Sequence, residues 1–179
     1  MFHSSEKDNL YAQAHEAVGA FQFDESVVAV FPDMIQRSVP GYQTILTGIG
    51  ELTAEFAQDN SRLYDLGCSL GAATLTMRRS LKAEECEIIG IDNSEAMIKR
   101  AEEYLHAYHS DIPVLLQYGD ICEIPIENAS VVVINFTLQF IDPEQRDILI
   151  ERIYQGLKPG GLLIVSEKLH FEDAVIQNA

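Results

Sequence analysis

The chain has 179 residues, of which 47% are hydrophobic and 22% charged, and its 28 acidic and 12 basic side chains give a formal net charge of −16. That is one globular domain, long enough to bury a core without metals or disulfides and too apolar to be disordered. The excess of acid argues against direct nucleic-acid binding, which draws its affinity from a basic face, and no run reaches the roughly 18 apolar residues of a membrane span.

Residues 1–21 read as a tail. Met1 to Ala20 carry Glu6, Asp8, His15 and Glu16 and lack the apolar stretch of a secretory signal. Residues 22–58 read as a helical segment. Asp24 can cap a short helix through Val30, which Pro32 is expected to interrupt. From Tyr42 to Phe56, residues Ile45, Leu46, Ile49, Leu52 and Phe56 fall on one face of a longer helix. Residues 59–179 then alternate between strand-like and helix-like segments. The strands are expected at Leu63–Leu66, Ile88–Ile91, Val114–Gln117, Val131–Asn135 and Leu162–Ser166. Helices are expected at Ala72–Leu81, Ser94–Tyr108 and Pro143–Leu157. The last has a capping box, with Asp142 as N-cap, Pro143 at the first position and Gln145 placed to reach back. This alternation predicts an α/β fold, a parallel sheet with helices on both faces. The continuous apolar run Val131-Val132-Val133-Ile134 fits a strand buried on both sides.

In such a sheet, ligands bind beyond the carboxyl ends of the strands. The first strand runs into Asp65-Leu66-Gly67-Cys68-Ser69-Leu70-Gly71, where two glycines let the backbone turn tightly and the following helix offers free N–H groups to a carboxylate. The second ends at Asp92-Asn93, a carboxylate able to accept both hydroxyls of a ribose. The third runs into Gly119-Asp120-Ile121, where Asp120 can accept from an adenine amino group and Ile121 can cover a base. The fourth ends at Asn135. Each has a plainer reading: a βα turn at the glycines, a helix cap at Asp92, a turn residue at Asp120 and a strand-end amide at Asn135. Taken together, a glycine loop after strand one and an acid after strand two describe a nucleoside site. Ser69 stands where a dinucleotide fingerprint needs its second glycine, and no G-K-[ST] follows, which disfavours a pyrophosphate and excludes a P-loop. An S-adenosyl ligand has a ribose, an adenine and a carboxylate but no phosphate.

Cys68, Cys86 and Cys122 are odd in number and lack C-x-x-C spacing, so neither disulfides nor a metal site is expected, and the reducing cytoplasm is. Cys68 reads as a small buried side chain. The basic pairs Arg78-Arg79 and Lys99-Arg100 are expected on exposed helix faces, and Tyr104 and Tyr108 as packing residues of one helix.

The loop from Asp65 to Gly71, Asp92, Gly119-Asp120 and the turn Leu157-Lys158-Pro159-Gly160-Gly161 before the fifth strand resemble class I S-adenosylmethionine-dependent methyltransferases, a Rossmann-like fold. Three segments, Val30–Tyr42, Tyr64–Thr74 and Asn135–Phe140, resemble more closely the bacterial carboxy-S-adenosylmethionine synthases. That resemblance implies an enzyme that turns S-adenosylmethionine and prephenate into carboxy-S-adenosylmethionine and phenylpyruvate. The product then serves a separate tRNA carboxymethyltransferase in making 5-oxyacetyl uridine at the wobble position. It further implies a homodimer, no metal, and ligand-binding roles for Tyr42, Gly67, Cys68, Ser69, Asp92, Asn93, Asp120, Ile121 and Asn135. S-adenosylmethionine, its carboxylated product or an S-adenosylhomocysteine-type ligand would occupy the site, capped by residues 22–58.

The fold ordinarily has seven strands and five are legible, so two strands, part of a dimer surface and the family's carboxylate-gripping arginine are expected beyond residue 179. Arg37 is the nearest substitute in the sequence, and the base acting on the sulfonium methyl is not identifiable. Three other readings stay open: a conventional methyltransferase, a non-catalytic binding fragment, and a serine hydrolase, since Gly67-Cys68-Ser69-Leu70-Gly71 matches G-x-S-x-G. Against the hydrolase, the loop follows the first strand and His170 is the only late histidine.

Overall fold

The computed structural model describes residues 25–169; the residues 1–21 tail, Asp24 and His170 lie outside that span. Its elements in chain order are α1 (Glu25–Ser38), α2 (Tyr42–Phe56), β1 (Arg62–Leu66), α3 (Ala72–Ser80), β2 (Glu87–Asp92), α4 (Glu95–His106), β3 (Val114–Tyr118), β4 (Ala129–Asn135), a 3₁₀ turn at Leu138–Phe140, α5 (Pro143–Gly156) and β5 (Leu157–Ser166). The five strands form one parallel sheet in the order β3-β2-β1-β4-β5. The order reverses between β1 and β4, and this is where a doubly wound sheet opens a crevice at its carboxyl edge.

Side-chain alternation sorts the core into two faces. Tyr64 and Leu66 of β1, Ile89 and Ile91 of β2, and Val132 and Ile134 of β4 pack with Leu149 and Ile153 of α5. Leu63, Ile88, Val131 and Val133 point the other way, against Leu46 and Ile49 of α2 and Ala73 and Met77 of α3. Helices therefore cover both faces, and fully burying each such aliphatic side chain contributes about 1.5–3 kcal/mol. The helices start as their sequences dictate. Ser94 caps α4, its hydroxyl accepting from Met97 N at 3.3 Å, and Glu95 sits in the first turn. At α5, Asp142 accepts from Glu144 N at 3.0 Å ahead of Pro143. Gln145 contributes only its backbone N–H, to Asp142 O at 2.8 Å, and among the described residues no side-chain bond closes the capping box.

Two expectations about the chain's course are corrected. Pro32 does not end α1, which continues to Ser38. An interior proline costs about 3 kcal/mol in a free helix, but here the helix is held by tertiary packing, with Phe31 against Leu70 and Met97. The segment 157–161 is not a turn ahead of β5. It is paired within it, Ala129 opposite Leu157 and Val131 opposite Leu162, so the intervening residues bulge out with Gly160 at φ +79°.

Arg78 also departs from expectation. It is half-buried, and its guanidinium donates to Ile112 O (3.1 Å), Leu105 O (3.3 Å), Tyr108 O (3.2 Å) and Ser110 O (2.9 Å). The end of α4 and the loop after it are thus tied to α3 by one side chain. Replacing Arg78 with Met should cost about 2 kcal/mol in urea unfolding, with little recovery from Lys, whose point charge cannot span the four carbonyls. Arg79 and Arg100 are exposed as expected, stacked over Tyr108 (4.2 Å) and Tyr104 (4.8 Å).

Candidate functional site

At the carboxyl edge of the sheet lies a cavity of about 1170 Å³, bounded by the ends of β1, β2 and β4, the loop after β3, and the helices α1, α2 and α4. All nine residues singled out from the sequence line it: Tyr42, Gly67, Cys68, Ser69, Asp92, Asn93, Asp120, Ile121 and Asn135.

The glycine loop supplies its floor. Gly67 N and Cys68 N both donate to Ile91 O, at 2.8 and 2.9 Å, which pins the loop to β2. Gly67 has φ +83°, and a Cβ there would lie 2.3 Å from Thr137 Oγ1, so only glycine fits. Gly71, at φ +79°, opens α3 with no side chain capping it. Among the described residues no side chain caps the first-turn N–H groups, at Ala72 and Ala73 on the cavity wall, an arrangement that suits a carboxylate.

Asp92 bridges this loop to the next helix. Its Oδ2 accepts from Ser69 N at 2.8 Å and its Oδ1 from Ser94 N at 2.9 Å. It is not the cap of α4, a role taken by Ser94. The Asn93 N–H also bears on the carboxylate, whose roughly four lone-pair sites leave acceptor capacity for a ribose hydroxyl. Burial raises its pKa, against the opposing pull of those N–H groups. Asp120 sits at the rim, where Oδ1 accepts from Cys122 N at 2.8 Å; it is a turn residue and lines the cavity at once. Ile121 is buried in the α5-side core and presents an apolar edge to the cavity.

Under the loop Tyr42, Cys68 and Asn135 gather around Asp65, a residue to which the sequence assigned no role of its own. Asp65 is fully buried and accepts from Thr74 Oγ1 at 2.6 Å. Burial, more than the nearby Asp92 charge, pushes its pKa up to about 6. Burial first, and then the Asp65 charge, holds the Tyr42 phenol at about 12, so it is a neutral donor; the Asn135 side chain beside it pulls the other way. Asn135 Oδ1 is buried and, among the described residues, has no hydrogen-bond partner. An orphaned carbonyl costs about 1–3 kcal/mol, and its position in the cavity wall fits an acceptor awaiting a ligand. Cys68 is buried over Gly90, and burial with the Asp65 and Asp92 charges raises its thiol pKa well above the ordinary value. It stays a thiol, not a nucleophile.

Ser69 Oγ turns to Met97 Sδ (3.5 Å), and no histidine lines the cavity among the described residues. Among the described residues a nucleophile elbow has no base here, and His170 lies outside them. Among the described residues no group of three His, Cys, Asp or Glu is placed to hold a metal, and no helix is long and apolar enough to cross a membrane. Sequence reasoning missed Phe31, Met34, Ile35 and Val39 of the first helical stretch, Thr137 and Lys168, all on the cavity wall. The apolar spacing along 31–39 was a usable signal, obscured by Pro32.

The comparisons with known proteins agree with this geometry. Residues 63–161 match the methyltransferase-domain family. An S-adenosylmethionine-dependent methyltransferase from Clostridium acetobutylicum superposes with a TM-score of 0.62 at 20% identity, over 75% of this chain and 55% of that one, which establishes the shared fold. A carboxy-S-adenosyl-L-methionine synthase from Hydrogenovibrio crunogenus is 70% identical over 97% of this chain and 68% of its own length. Another from Psychromonas ingrahamii is 59% identical over 94% and 70%. Identity of that degree over nearly the whole chain assigns it: it belongs to the carboxy-S-adenosyl-L-methionine synthases, on the class I methyltransferase fold.

Proposed function

We propose that this chain converts S-adenosylmethionine and prephenate into carboxy-S-adenosylmethionine and phenylpyruvate. The observation that carries the reading is one cavity that gathers all nine expected residues in a chain 70% identical to a named synthase. In this reading Gly67, Cys68 and Ser69 follow the methionyl chain, whose carboxylate takes the open N–H groups of α3. Asp92 and Asn93 hold the ribose, and Asp120 and Ile121 the adenine. Tyr42 and the unpartnered Asn135 Oδ1 face the sulfonium, which supplies an acidified methyl group. Residues 22–58 cap the site and keep water out.

Prephenate loses its ring carboxylate as carbon dioxide and its ring hydroxyl as the ring becomes aromatic. The methyl proton joins that hydroxyl as water, and the methyl carbon bonds the carbon dioxide. Holding both substrates in a dry pocket is what lets the carbon dioxide be captured before it diffuses away. The acidity of the chain, at −16, suits a step on small molecules. The reading brings with it a cytoplasmic homodimer whose product passes to a tRNA carboxymethyltransferase for 5-oxyacetyl uridine formation. The test is incubation with S-adenosylmethionine, with and without prephenate, followed by mass analysis. A prephenate-dependent product heavier by one carbon dioxide is expected; methyl transfer to an acceptor without that product would return the chain to the conventional methyltransferases.

The buried Asp65 sets the pH dependence of binding. A cation in the cavity favours the ionised carboxylate, so S-adenosylmethionine should bind more tightly as pH rises from 5 through about 6 and level off above. Calorimetry should show this slope, and Asp65→Asn should flatten it. The sign for stability is the reverse. Because the folded pKa is raised, the Asp65 contribution of the ligand-free chain is fully present below the ordinary carboxylate value of 3.8 and lost as pH rises through about 6.

A further inference from the structure

The cavity wall carries Asp65, Asp92, Glu95 and Asp120, and among the described residues a single lysine or arginine, Lys168. Lys168 follows β5 by two residues. Ser166 of that strand is paired with Asn135 and accepts from Phe136 N at 2.8 Å, so the lysine emerges beside the sulfonium end of the site. Its backbone is fixed by Glu167, whose Oε1 accepts from Lys168 N at 2.9 Å and whose Oε2 accepts from Gln139 N at 3.1 Å. Glu167 is thus engaged by two backbone N–H groups, and the Lys168 ammonium makes no ion pair among the described residues. It is exposed at the rim rather than buried in the floor.

We propose that Lys168 binds the side-chain carboxylate of the dicarboxylic co-substrate, the one that does not react. The inference rests on the prephenate reading above and goes beyond it by assigning one carboxylate to one residue. A dianion entering a cavity lined by four acids needs cations. The sulfonium supplies one, next to the methyl group, and Lys168 is the second that the described wall offers. The two carboxylates of prephenate have opposite requirements. A cation bonded to the ring carboxylate would stabilise it against loss as carbon dioxide, because the charge that the cation holds disappears in that step. A cation on the pyruvyl carboxylate holds the same charge in substrate, transition state and product. It gives uniform binding and orients the ring without opposing the chemistry. A solvated, rim-placed ammonium suits that second task.

The test compares wild type with Lys168→Met and Lys168→Arg, measuring KM and kcat for prephenate and the Kd of S-adenosylhomocysteine. Loss of a charged hydrogen bond used equally in ground and transition states should raise the prephenate KM of the Met variant about ten- to hundredfold. Its kcat should stay within about threefold. The S-adenosylhomocysteine Kd should not move, which shows the variant is folded, and Arg should restore most of the KM. An unchanged KM, or a fall in kcat at unchanged KM, overturns the assignment. If wild type makes no carboxylated product, the proposed function falls, and calorimetric binding of prephenate to the S-adenosylhomocysteine-loaded chain still decides the inference. Binding that is lost in the Met variant upholds it; equal binding, or none to wild type, overturns it.

Discussion

Replacing Gly67 with alanine should abolish S-adenosyl ligand binding, weakening Kd by at least about a hundredfold, and lower stability by about 2–4 kcal/mol. Two independent costs meet at this residue. Its φ of +83° strains any side chain, and the added Cβ would lie 2.3, 2.4 and 2.9 Å from Oγ1, Cγ2 and Cβ of Thr137. The last distance matters most, because a rotation of the threonine cannot move its own Cβ away. Either the loop or the segment after β4 must shift, and Gly67 N and Cys68 N then lose their shared acceptor, Ile91 O. The double variant Gly67→Ala with Thr137→Gly separates the two causes. It should relieve the collision and leave the backbone strain of about 1–2 kcal/mol. Gly71→Ala is the internal comparison. It has a similar φ of +79°, but its nearest neighbour, Leu105 Cδ1, is at an ordinary 3.5 Å, so only strain is expected. Urea unfolding and calorimetric titration with S-adenosylhomocysteine check all three.

Asp92→Ala should weaken the same ligand by about a thousandfold with a much smaller effect on folding, because it removes up to two charge-assisted hydrogen bonds to a ribose. The side chain also joins Ser69 N to Ser94 N, so its loss frees the glycine loop from the start of α4. Asp92→Asn keeps the shape but turns an NH₂ toward one of those two N–H donors. A loss of about a hundredfold is expected for it, between wild type and Ala. Folding should change less than binding in both variants, since the raised pKa shows that the folded chain already holds this charge against a burial cost. Equal losses in binding and stability would make Asp92 a loop brace with no ribose contact.

How much of this was legible follows from what each residue's signal depends on. The three central strands were readable because burial on both faces demands continuous apolar runs, as at Val131-Val132-Val133-Ile134; the edge strands β3 and β5 are less buried, and all five expected positions fall within the observed ones. The site loops were readable because glycines and acids gather at the carboxyl ends of parallel strands, where such a sheet opens its crevice, and the structure brings them to one cavity wall. Pro32 misled because local propensity was overridden by the packing of α1 against the cavity wall. The Leu157–Gly161 segment misled because a bulge within a paired strand has the composition of a turn. Arg78 read as surface because four carbonyl partners, spread from Leu105 to Ile112, leave no mark in the sequence around it. Lys168 was overlooked for the same reason, and Asp65, though named at the head of the glycine loop, was given no role of its own. What distinguishes them is burial under the loop and position at the cavity mouth, which exist only once β1, β4 and β5 lie side by side.

The proposed function stands on one step: carbon dioxide released from prephenate is captured on the sulfonium methyl of S-adenosylmethionine within this cavity. Prephenate isotopically labelled at its ring carboxyl carbon, supplied with unlabelled bicarbonate in excess and followed by mass spectrometry, decides whether that step occurs. Carboxylated S-adenosylmethionine should carry the label at nearly full enrichment, in one-to-one yield with phenylpyruvate. A product that takes its carboxyl group from bicarbonate, or phenylpyruvate formed with the label lost entirely to free carbon dioxide, would contradict capture in the cavity.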